Sequence, residues 1–180
     1  SKLQKFVSKE GLKTIGVAPF AAHKGKMYPL EQMELLLKQL AQIYNIILFG
    51  GGAEEIKKLK QFQSISANVH SVAGDLSFKE ELDLISNLDL MLSMDSGNGH
   101  LAAIYGVPVI TIWGVTHPFA GFAPYLQDQD HSLLADREKY PLIPTSVYGN
   151  KYPDDYENAA GSISVESVIS RINELLQGYS

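Results

Sequence analysis

Short apolar runs at 14–17, 45–49, 69–72, 88–94 and 107–113 alternate with stretches at about 30–43, 53–63, 78–86 and 97–105 in which apolar residues return every three or four positions. Runs this short, with little polar alternation, suit strands buried on both faces, whereas the three-to-four spacing suits helices with one apolar face. Leu35, Leu36, Leu40 and Ile43 form such a stripe on one helix, and Ile56, Leu59 and Phe62 on the next. The repeated β-α-β order predicts an α/β fold, a doubly wound parallel sheet covered by helices.

This regular core spans about 12–125, and the pattern then breaks. From 119 to 162 there are several prolines, many tyrosines and little periodicity, which predicts an irregular segment covering one end of the sheet. Ser164 is then placed to cap a final helix over about 164–178, with Val165, Val168, Ile169, Ile172 and Leu175 as its apolar stripe. No internal repeat or low-complexity tract interrupts the chain.

With 45% apolar and 19% charged residues, the 180-residue chain can bury a substantial core. A net charge of −5 and an isoelectric point near 5.5 argue against a general nucleic-acid binder, so no nucleic-acid partner is expected. No run of about 18 apolar residues is present, so no transmembrane segment is expected. The absence of cysteine rules out disulfides, zinc-thiolate sites and cysteine nucleophiles.

The richest chemistry lies in Asp95-Ser96-Gly97-Asn98-Gly99-His100-Leu101-Ala102-Ala103-Ile104-Tyr105-Gly106-Val107-Pro108, running on to Gly114-Val115-Thr116-His117-Pro118. It reads as strand, glycine-rich turn, helix and strand. Asp95 or Ser96 offers an oxygen to cap the helix, while Gly97 and Gly99 remove Cβ atoms so that backbone amides can close on an anion at the positive end of the helix dipole. The turn is neither the GxGxxG fingerprint of dinucleotide enzymes nor the GxxxxGK(S/T) phosphate loop. The loops at 19–29, 50–55, 73–77, 95–99 and 114–124 each follow an expected strand, so one crevice at the carboxyl ends of the sheet can collect them.

These motifs resemble the signature of glycosyltransferase family 9, whose best-known members are ADP-heptose:lipopolysaccharide heptosyltransferases. Lys26-Met27-Tyr28-Pro29, Phe49-Gly50-Gly51-Gly52-Ala53-Glu54-Glu55 and Val72-Ala73-Gly74 add weaker matches, and the resemblance covers roughly 12–125 and the last helix. It implies the Rossmann-like C-terminal half of a GT-B enzyme: residues 1–180 as one nucleotide-sugar-binding domain, with the N-terminal acceptor domain, and the catalytic base it carries, outside this chain. The reaction implied is metal-independent transfer of a sugar, heptose from ADP in most members, to lipopolysaccharide or another envelope glycan. Nucleotide sugar is then a substrate, no cofactor is needed, and no catalytic residue is expected in this portion, which alone should not turn over. The same resemblance implies a cytoplasmic enzyme, peripheral at the inner-membrane face through its full-length form.

The resemblance also assigns residues. Lys26 stands where a lysine contacts phosphate, with Lys24 two positions away as a substitute; both also suit a solvated loop. Glu54 or Glu55 falls where an acid binds the ribose hydroxyls, although either also favours a helix N-terminus. Asp95, Ser96, Gly97, Asn98, Gly99, His100 and Thr116 complete the donor and phosphate set, with a helix cap as the plain alternative for Asp95 and a structural role as that for His100. His117 sits where the family often carries Asp. Trp113 is expected in the core, and Asp128-Gln129-Asp130 in a solvated loop despite its likeness to a D-x-D metal motif. The rival readings are a nucleotide-sugar epimerase and a degenerate sugar-nucleotide binding module.

Overall fold

The computed structural model describes residues 2–6 and 11–178. Six strands, β1 (Thr14–Ala18), β2 (Asn45–Leu48), β3 (Val69–Ser71), β4 (Leu90–Met94), β5 (Val109–Trp113) and β6 (Ser132–Leu134), form one sheet in the order β3-β2-β1-β4-β5-β6, every pair parallel. Five helices accompany them: α1 (Leu30–Leu40), α2 (Ala53–Gln63), α3 (Phe78–Ile85), α4 (Gly97–Ile104) and α5 (Val165–Gln177). The doubly wound order expected from the sequence is therefore present.

Alternate residues of β1, β2, β4 and β5 feed two cores. Ile15, Val17, Ile46, Leu48, Leu90, Leu92, Ile110 and Ile112 pack with Leu36, Leu37 and Leu40 of α1, Leu59 and Phe62 of α2, and Val168 and Ile172 of α5. Ala18, Ile47, Met91 and Val109 pack on the opposite face with Leu84 and Ile85 of α3 and Ala102 and Ala103 of α4. Burial on both faces explains why β1, β2, β4 and β5 read as largely apolar runs.

Three expectations need correction. Leu35 and Ile43 do not join the α1 stripe: both are exposed, and Met33, Leu36, Leu37 and Leu40 point inward instead. The helix stops at Leu40 because its carbonyl accepts the amides of Ile43 and Tyr44 in a turn that sends the Tyr44 ring into the core and its hydroxyl to Asn173 Oδ1 at 2.7 Å. The segment over 119–162 is not wholly irregular, since β6 extends the sheet and a third core, Val115, Ala135, Tyr140, Ile143, Tyr156 and Ala159, anchors the rest. The final helix begins as expected, with Ser164 Oγ accepting the Ser167 amide at 3.1 Å.

Tyr28 ties the loop after β1 to this frame. Its buried hydroxyl donates to the Ile163 carbonyl at 2.8 Å, just before α5, and burial, with Glu166 adding to it, pushes its pKa up to about 12.

Candidate functional site

Strands β1 and β4 lie side by side at the centre of the sheet, yet the chain leaves β1 toward β2 on one side and β4 toward β5 on the other. At such a switch point the two following loops part and leave a crevice at the carboxyl ends of the strands. The loop after β1 carries a single 3₁₀ turn, Lys24–Lys26, and the loop after β4 is only Asp95 and Ser96 before α4 begins.

Lys26 and Asp95 meet across this crevice, with Nζ 2.9 Å from Oδ2. Thr116, buried beyond the end of β5, donates its hydroxyl to the same Oδ2 at 3.0 Å. The end of β5 also fixes the lysine turn, because Val115 N donates to Gly25 O at 2.9 Å. A Cβ on Gly114 would lie 2.0 Å from that carbonyl oxygen, so this backbone approach requires glycine.

The first turn of α4 completes the crevice. Gly97 is exposed, Asn98 half-buried and Gly99 buried, and a Cβ on Gly99 would fall 2.4 Å from Ser93 Oγ. The expected side-chain cap is not made: Ser96 occupies the N-cap position without accepting an amide, and Asp95 has turned to Lys26 and Thr116 instead. No acid lies in that first turn. The hydroxyls of Ser93 and Ser96 are buried and have no hydrogen-bond partner among the described residues. Helix-end amides that no side chain takes, a buried hydroxyl beside them and a cation held on the carboxylate just before the helix can together attract a phosphate-like anion.

The two glutamates separate. Glu55 folds back to accept the Gly51 amide at 2.9 Å, closing the glycine turn before α2. Glu54 is exposed and has no ion-pair partner among the described residues. The two lysines separate as well: Lys24 is exposed and lies 3.8 Å from Glu157, outside the Lys26–Asp95 pair. His100 is half-buried in α4.

His117 is buried, its Nδ1 accepts the Phe119 amide at 3.2 Å, and its ring lies 4.3 Å from that of Phe119. Burial first, and the positive Arg137 second, hold its pKa below the usual histidine value. It lines a cavity of about 360 Å³ with Thr111, Gln127 and His131, whose walls include neither Lys26 nor Asp95. Trp113 is fully buried and donates to Ser132 Oγ at 3.3 Å, a core residue as expected. Asp128 and Asp130 are exposed in their loop, Asp130 at 3.8 Å from Arg171. No group of three or more acidic or histidine side chains is arranged to hold a metal among the described residues.

Sequence reasoning missed the contribution of 145–152. Thr145 donates its amide to Val115 O at 3.0 Å, and Gly149 and Tyr152 lie against Lys26 and Gly25. The only signal for it in the sequence is one glycine among tyrosines, which no periodicity singles out.

Residues 2–150 match the family described as Glycosyltransferase family 9 (heptosyltransferase). The chain is 27% identical over 169 residues to lipooligosaccharide heptosyltransferase 2 of Haemophilus influenzae, a match covering 90% of this chain and 47% of that protein. It shares its fold with the solved E. coli ADP-heptose lps heptosyltransferase II at a TM-score of 0.73 and 21% identity, over 98% of this chain and 50% of the other. The E. coli heptosyltransferase WaaC with ADP aligns at a TM-score of 0.68 and 18% identity, over 96% of this chain and 47% of the other. The chain thus spans about half the length of these relatives.

Proposed function

Because this chain belongs to glycosyltransferase family 9 (heptosyltransferase), we propose that it is the donor-binding portion of a sugar transferase, taking heptose from ADP-heptose to a lipopolysaccharide or related envelope glycan. The observation that carries this reading is the Lys26–Asp95 pair at the switch point of the sheet, its carboxylate two residues before the uncapped first turn of α4. The relatives' names supply the sugar and acceptor class, and the ADP in the WaaC structure supplies the nucleotide.

In a single displacement the acceptor hydroxyl attacks the anomeric carbon, the new C–O bond forms as the bond to the diphosphate breaks, and the hydroxyl proton passes to a base. The hard step is departure of the diphosphate. In this reading Lys26 and the amides of Gly97, Asn98 and Gly99 stabilise the charge that develops on it, without a divalent cation. Glu54, exposed beside the glycine turn, is the acid suited to the ribose hydroxyls, and Glu55 already serves the turn itself. The base and the acceptor surface belong to the remainder of the enzyme, and this portion alone should bind donor without turning it over.

Calorimetric titration of ADP, UDP and GDP into this chain and its Lys26→Ala variant, in EDTA and in magnesium, tests the reading. ADP should bind with the same affinity in both buffers, and the variant should bind at least about tenfold more weakly. A wild-type chain that ignores all three nucleotides, or a variant that binds as well as wild type, overturns it.

A further inference from the structure

We propose that residues 145–152, the segment between Ile143 and Tyr156 of the third core, form a positioning brace for Lys26, with Gly149 and Tyr152 as its positioning residues; this rests on the donor-binding reading above. Gly149 is buried, with φ +70, directly against the lysine stem. A Cβ there would lie 2.7 Å from Lys26 Cγ, 2.8 Å from Lys26 Cδ and 2.9 Å from Thr116 Cγ2. In the same turn, a Cβ on Gly25 would lie 2.8 Å from Tyr152 Cε1 and 2.9 Å from Val115 Cγ2. The brace is itself tied to the sheet through the two bonds Thr145 makes to Val115 O, from its amide at 3.0 Å and its hydroxyl at 3.4 Å. Val115 in turn donates to Gly25 O. One chain of contacts thus runs from the end of β5 through residues 145–152 to the methylenes of Lys26.

A free lysine has four rotatable side-chain bonds to freeze before its ammonium can meet a phosphate, and the loss of that freedom weakens binding. Here the stem already rests against Gly149 and the ammonium is held on Asp95. The brace therefore places the cation before the ligand arrives, and Gly149 is glycine because any side chain would displace the stem that rests against it.

Gly149→Ala combines that collision with the backbone strain of a left-handed residue. Gly121→Ala isolates the strain, since Gly121 has φ +88 and its Cβ would meet nothing within 4 Å. In ¹³C-lysine-labelled chain, the Lys26 Cε signal is assigned by its loss in Lys26→Arg. Gly149→Ala should move this signal toward those of exposed lysines and weaken ADP binding about tenfold, whereas Gly121→Ala should leave the signal in place and the affinity within about twofold. If Gly149→Ala does not fold, Tyr152→Ala, which removes the ring lying against Gly25 in that turn, carries the same two readouts. An unmoved Lys26 signal, unchanged ADP affinity with a moved signal, or an equal effect from Gly121→Ala overturns the brace. If the wild-type chain binds no nucleotide, the donor reading fails on its own, and the Cε signal still decides whether the lysine is braced.

Discussion

The ammonium of Lys26 lies 2.9 Å from the carboxylate of Asp95, with only 13% and 8% of the two side chains exposed, and this contact joins the loops that leave the first and fourth strands. A charge pair so withdrawn from water is costly to break on one side, because the remaining charge keeps its burial and loses its partner. Lys26→Met and Asp95→Asn should each lower stability, by about 1–3 kcal/mol, and the double variant should lose less than their sum. Urea denaturation of the four proteins checks this, and strict additivity would show that the pair is not energetically coupled.

The carboxylates of Glu54 and Glu55 should respond to substitution in opposite ways. Glu55 accepts the Gly51 amide at 2.9 Å, so Glu55→Ala should cost about 1 kcal/mol of stability through a lost charge-assisted bond at a helix start. Glu54→Ala, at an exposed position, should leave stability within about 0.5 kcal/mol and weaken ADP binding instead. If Glu54 meets the ribose, the same substitution should make little difference to inorganic diphosphate, which has no ribose. Parallel titrations of ADP and diphosphate separate the two effects.

Five of the six strands were legible: β1, β2, β4 and β5 are buried on both faces and read as largely apolar runs, and β3, though only Val-His-Ser with His70 half-buried, is marked by Val69 and Val72. The sixth was not: Ser132–Leu134 is three residues long, with Leu134 exposed, and it is a strand only because the edge of β5 offers it a partner. The glycine turn and Lys26 could be singled out from local motifs, but the pairing of Lys26 with Asp95 could not. It arises from the adjacency of β1 and β4, a consequence of sheet order rather than of any spacing in the chain. The same holds for Ser96, whose local context signals a cap, while the fold draws Asp95 to Lys26 and leaves the Ser96 hydroxyl buried and without a partner among the described residues.

Stability should fall as the solution is made mildly acidic, with His117 contributing. Burial and Arg137 lower its folded-state pKa, so below the unfolded value of about 6.5 the unfolded chain binds more protons than the folded one. The stability this histidine contributes is full above that value and is lost as the pH falls toward its depressed folded pKa. His70, whose pKa burial also lowers, adds a slope of the same sign. His117→Asn keeps an acceptor for the Phe119 amide and removes one titrating ring, so its stability should fall less between pH 7.5 and about pH 5.5 than that of wild type. Chemical denaturation across that range measures the slopes, and identical slopes would remove His117 from the account.

Gly97 separates the needs of the fold from those of the ligand. A Cβ on this exposed residue would meet nothing within 4 Å, and alanine favours a helix over glycine by about 1 kcal/mol, so Gly97→Ala should leave the melting temperature unchanged or raise it. Gly99 differs, because its Cβ would press on Ser93 Oγ and disturb the helix even without ligand. If a diphosphate rests on the first-turn amides of α4, the added methyl of Gly97→Ala occupies the approach that glycine leaves open. ADP affinity should then fall at least about tenfold in a protein that is no less stable. A thermal melt and one calorimetric titration decide the matter. Undiminished affinity would move the phosphates away from this turn, leaving Lys26 to bind them from the loop after β1.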